Sequence, residues 1–85
     1  MGEMTKAEVV ACLLLANAQR RDACVQYADA FMEYQEATAN IDAHGLVVQH
    51  PRTLAPITNP YVAIRDRALK KLQRFPAIRA AALWE

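Results

Sequence analysis

Arg67, Lys70, Lys71 and Arg74 stand at i, i+3, i+4 and i+7, the spacing that brings four cations onto one face of a helix. Only Asp66 adjoins them. Such a row neutralises phosphates without reading base edges, which is the chemistry of backbone binding to a nucleic acid. The plain alternative is a solvated helix face. No aromatic residue interleaves with the row as a stacking platform, so single-strand binding is not favoured. His44 and His50 lie six residues apart with no third ligand at a suitable spacing, and no metal site is expected. Cys12 and Cys24, twelve residues apart, match neither a zinc knuckle nor a redox Cys-x-x-Cys. Both fall at apolar helix positions and read as small buried hydrophobes rather than nucleophiles or a disulfide. Asp29, Glu33 and Glu36 share a helix face as hydrated surface, not as an acid–base pair. The chain has no serine and no Gly-rich phosphate loop. Neither an enzyme nor a cofactor is expected.

The elements that carry these residues can be read from their caps and periods. Thr5-Lys6-Ala7-Glu8 is a capping-box pattern, so a first helix is expected from Lys6 to about residue 19. Val9, Val10, Leu13 and Leu14 form its buried stripe. Carried on, the stripe meets Asn17, Arg20 and Arg21, which predicts a break with Asp22 as the next N-cap; the alternative is one helix over 6–43. A second helix over 22–44 repeats Cys24, Tyr27, Phe31, Tyr34, Thr38 and Ile41 at steps of three and four, a seam for lengthwise packing. His44-Gly45 closes it, with Gly45 expected in the left-handed conformation. Residues 46–58 read as a small hairpin, with an irregular loop as the alternative. Asn59-Pro60 opens a third, basic helix over 60–75, Asn as N-cap and Pro at the first position. Tyr61, Ile64, Ala68, Leu72 and Phe75 are expected to face the core, and Pro76 to stop the helix. Residues 77–84 form a last short helix, or leave Trp84 to dock on the core or on a partner.

With 85 residues, the chain makes one domain at most, 1–85, near the size at which a core is only just sufficient. A 54% hydrophobic, 22% charged composition with two glycines excludes disorder. The fold class expected is mainly all-α: three helices with a small β-hairpin between the second and third. The net charge of +1 hides a division, −4 over residues 1–42 and +6 over residues 43–84. An acidic half and a basic half suit head-to-tail packing of copies or a face that meets a polyanion. Self-association is expected through Tyr27, Phe31 and Tyr34, the first helix and the hairpin. The apolar run Val9–Ala16 precedes an Ala16-Asn17-Ala18 triplet but lacks a positive flank, and falls far short of the ~20 residues of a membrane span. Neither a signal peptide nor a membrane anchor is expected. Met1-Gly2 opens no myristoylation motif, because Lys6 stands where Ser or Thr is needed.

The words Tyr27, Ala30, Tyr34 and Ala37 on one helix, then Gly45-Leu46-Val47-Val48, then Asn59-Pro60 and the basic helix Arg65–Phe75, follow in fixed order. In this the chain resembles the small subunit of phage terminase over about 50 residues. Each word is weak alone; the order carries the likeness. Past the basic helix the family's Leu-Gly-Leu-Thr-Pro-x-x-Arg is represented only by Pro76-Ala77-Ile78-Arg79. The resemblance implies a non-catalytic, ring-forming viral or prophage DNA-packaging protein of the host cytoplasm. Its partners would be double-stranded DNA, through Arg67, Lys70, Lys71 and Arg74, and the large terminase subunit. The competing expectation is a small helical interaction module without DNA binding.

Overall fold

The computed structural model describes residues 4–84; the Met1-Gly2 reading, Glu3 and Glu85 lie outside them. Helix α1, Lys6–Ala16, begins on the expected capping box. The Thr5 hydroxyl accepts from the Glu8 N–H at 3.2 Å, and the Glu8 carboxylate accepts from the Thr5 N–H at 3.0 Å. That carboxylate is held below the usual glutamate range, first by the backbone donor and then by the hydroxyl.

α1 stops three residues short of expectation. Asn17 is not a solvated continuation of the stripe but a buried one, 7% exposed. Its amide donates to the Leu13 carbonyl at 2.8 Å and to the Arg79 carbonyl at 2.9 Å, while its oxygen accepts from the Arg79 N–H at 3.0 Å. A tight turn follows, with the Arg20 N–H on the Asn17 carbonyl. Helix α2, Arg21–His44, therefore starts from Arg20, whose side chain makes no capping bond; Asp22 sits in the first turn instead of at the cap. There its charge still suits the positive end of the helix dipole. The break removes the alternative of one helix over 6–43.

α2 is the spine, about 36 Å long at 1.5 Å per residue. Cys24, Tyr27, Ala28, Ala30, Phe31, Ala37 and Ile41 are its buried residues, while Tyr34 and Thr38 complete the seam half-buried. Gly45 ends it at φ +86°, ψ 175°. The positive φ is as expected, but ψ is extended rather than helical. That region is open essentially to glycine alone, and it turns the chain straight into a strand.

Strands β1, Val47–Gln49, and β2, Pro56–Thr58, pair antiparallel with Val48 opposite Ile57. The Asn59 side chain joins the three elements that meet here. Its oxygen caps helix α3, Pro60–Leu72, by accepting from the Tyr61 N–H at 3.0 Å. Its amide donates to the Asn40 side chain at 3.1 Å and to the Gly45 carbonyl at 2.9 Å. At 2% exposure every one of these bonds is needed.

α3 lays Ala68 and Leu72 fully, and Tyr61 and Ile64 partly, against the core, and Phe75 just beyond it is half-buried there too. It ends at Leu72 rather than 75, because residues 73–75 tighten into turns: the Arg74 and Phe75 N–H groups reach back only three residues. The chain then crosses the bundle. Ile78 is buried, the Asn17 clamp holds Arg79, and the four-residue α4, Ala81–Trp84, closes the path. Trp84 docks on the core: its indole N–H donates to the Tyr27 hydroxyl at 2.9 Å, and its ring meets Phe31 and Tyr34 edge-on at 5.0 and 5.4 Å. The architecture is thus mainly helical with the hairpin between α2 and α3, as expected, plus this C-terminal strap.

Candidate nucleic-acid interface

Helix geometry sets the basic row. Ala68 and Leu72 point into the core, so positions 67 and 70 must point outward; Arg74, expected on the same helix, lies instead in the turn after α3. Arg67, Lys70 and Arg74 are exposed, and none has an acidic partner within ion-pair distance among the described residues.

Lys71 is placed differently. It lies at the edge of the α2–α3 contact, where its ammonium sits 3.2 Å and 3.4 Å from the two Glu33 oxygens. Sequence spacing groups it with the other three cations; the fold engages it with an acid of the same chain 38 positions away. With both groups about four-tenths exposed, the pair contributes at most about 1 kcal/mol. Arg65 leans on its neighbour Asp66 at 3.7 Å. Three cations, then, are presented outward without compensation.

The residues expected at a subunit interface fall into the chain's own interior. Tyr27 and Phe31 are 6% and 5% exposed, covered by Phe75 and Trp84. Tyr34 is half-buried under the same indole. Asp29 forms a 2.7 Å ion pair with Lys6 that fastens α1 to α2. Cys24 is buried, Cys12 half-buried, and both are free thiols.

His50 makes a local contact that its sequence position does not announce. Its Nδ1 accepts from the Arg52 and Thr53 N–H groups at 3.1 and 3.4 Å and shapes the hairpin tip. His44 lines an open groove with Asn40, Val48, Asn59 and Tyr61 at the α2–hairpin–α3 junction. Among the described residues no group of three or more His, Cys, Asp or Glu could hold a metal ion. No helix among them is long and apolar enough to cross a membrane.

Set beside known proteins, residues 7–77 match the family model for phage terminase, small subunit. No curated protein and no solved structure matches.

Proposed function

Because this chain belongs to the phage terminase small-subunit family, we propose that it serves phage DNA packaging as a non-catalytic DNA-binding component in the host cytoplasm. In this reading it self-associates, holds duplex DNA by its backbone and recruits or regulates the large terminase subunit. The observation that supports DNA contact is the uncompensated row of Arg67 and Lys70 on the outward face of α3 and Arg74 in the turn that follows it. Each cation that meets a phosphate releases condensed counterions, so affinity falls with salt whatever the sequence. The row offers point charges and guanidinium forks but no shape that fits a groove, so it positions rather than specifies.

The experiment is a mobility-shift titration over several salt concentrations with unrelated duplexes. The Lys70→Ala/Arg74→Ala chain is expected to bind all of them more weakly and to the same degree. Its salt slope is expected to fall by about 0.9 for each phosphate left without its cation. Lys71→Ala should change the slope less, since Lys71 is already engaged by Glu33. An unchanged affinity and slope in the double variant removes α3 from the DNA site.

A further inference from the structure

We propose that the turn between α1 and α2, completed by the C-terminal strap, is a phosphate-binding site built from Arg20, Arg21 and Arg79. Under the packaging reading, on which this part of the assignment rests, the ligand is a backbone phosphate of the duplex, met separately from the α3 row.

The first observation is a juxtaposition made by one buried side chain. Arg79 is the only charged residue of the strap, residues 76–84. Asn17 holds it by the backbone: its amide oxygen accepts from the Arg79 N–H at 3.0 Å, and its amide nitrogen donates to the Arg79 carbonyl at 2.9 Å. The main-chain carbonyl of the same asparagine accepts from the Arg20 N–H at 3.0 Å. Two arginines far apart in sequence are thus anchored on one residue. The clamp engages no side-chain atom of Arg79, which is exposed, as are Arg20 and Arg21.

The second observation is the phase of α2. Arg20 and Arg21 precede buried Cys24 by four and three positions, so they extend the stripe that the strap covers. Asp22 falls with Gln26 and Asp29 on the opposite, exposed side. It is the only acid between Glu8 and Asp29. Neither it nor any other acid lies within ion-pair distance of the three arginines among the described residues. The Lys6–Asp29 pair lies about two turns further along α2.

What selects phosphate is the chemistry of the donors. Three like charges gathered without an acid repel one another, and an anion relieves that repulsion. The α3 row mixes lysine with arginine, but every cation here is an arginine. A guanidinium meets phosphate oxygens through two parallel N–H bonds, a fit that a lysine point charge lacks. The site is complete only while the strap is docked, so phosphate binding and strap closure stabilise each other.

The test is amide-resonance NMR on the full chain, titrated with inorganic phosphate against chloride at matched pH and ionic strength, with circular dichroism for fold. In the parent, the resonances of Arg20, Arg21 and Arg79 should shift along one isotherm, and exchange of the Arg79 amide should slow. Arg79→Ala keeps the backbone groups that Asn17 binds, and should abolish the shift at Arg20 and Arg21 with helicity unchanged. Arg79→Lys keeps the charge but not the fork, and should weaken the isotherm. No shift in the parent, or one at Arg20 and Arg21 that survives Arg79→Ala, overturns the proposal. Duplex DNA separates the two sources of phosphate. It should displace inorganic phosphate from these resonances, and Arg79→Ala should lower the salt slope of duplex binding by about 0.9. An unchanged slope overturns the duplex contact and assigns the site to free phosphate. A chain that takes phosphate here but binds no duplex at all counts against the packaging reading, while the site itself stands.

Discussion

At the scale of single residues, the asparagines carry more of the structure than their number suggests. Asn59 satisfies a helix cap, a side chain of α2 and the Gly45 carbonyl from one buried amide. Asn59→Ala removes the cap and strands those partners; a loss of about 2–3 kcal/mol is expected in urea unfolding. Thr38 is the opposite case. Its hydroxyl is buried without a hydrogen-bond partner among the described residues, so Thr38→Val is expected to raise stability by up to about 1 kcal/mol. Glu8 gives a pH-dependent element. Its folded pKa is depressed by the Thr5 backbone and hydroxyl donors. Its contribution is therefore complete above the unfolded glutamate value and lost as pH falls through the folded one. Amide exchange in the first turn of α1 should accelerate over that acidic window, and a rate flat across it would remove Glu8 from the cap.

Among the elements, the C-terminal strap binds α1 to α2 through contacts that are all long-range. Trp84→Ala deletes the hydrogen bond to Tyr27 and two edge-on aromatic contacts. A loss of about 1–3 kcal/mol is expected by denaturant titration, with α1 loosened more than α3. The strap also marks the limit of what the sequence discloses. The capping box of α1, the three-four seam of α2, the Asn-Pro start of α3 and the basic row are all legible, because each is a local pattern of cap or period. Asn17 reads as solvated in the sequence because its partner Arg79 lies 62 positions away. Asp22 reads as the cap because nothing local shows that the turn after Asn17 admits Arg20 there. Lys71 groups with the outward cations for the same reason: Glu33 becomes its neighbour only when α2 meets α3. Tyr27, Phe31 and Tyr34 are legible as a packing seam, but which surface covers them depends on how the strap returns.

The whole molecule is long and thin, 50 × 28 × 19 Å. Its radius of gyration of 15.2 Å exceeds the roughly 12 Å of a compact chain of this length. Much apolar surface is consequently left exposed, and the basic half returns alongside the acidic one, with Lys71 on Glu33 and Arg79 on Asn17. DNA binding and assembly should respond to salt by different laws. Three phosphate contacts from Arg67, Lys70 and Arg74 alone give a slope of about −2.7, so a fourfold rise in salt should weaken DNA binding at least about 40-fold per copy. A contact between copies that covers exposed apolar side chains keeps its apolar part at the same salt. Sedimentation and mobility shifts recorded over one salt series should therefore separate, with oligomer persisting where DNA has been released. Both falling together at one slope would mean that the charges alone hold the copies.

Trp84 is the chain's one tryptophan, and the bond from its indole to Tyr27 makes it an intrinsic optical probe. Docked, half-screened and edged by two rings, its emission differs in colour and in quenching by iodide from that of a free indole. Excitation of that single ring reads the closure of the strap directly, with no label attached and no residue replaced.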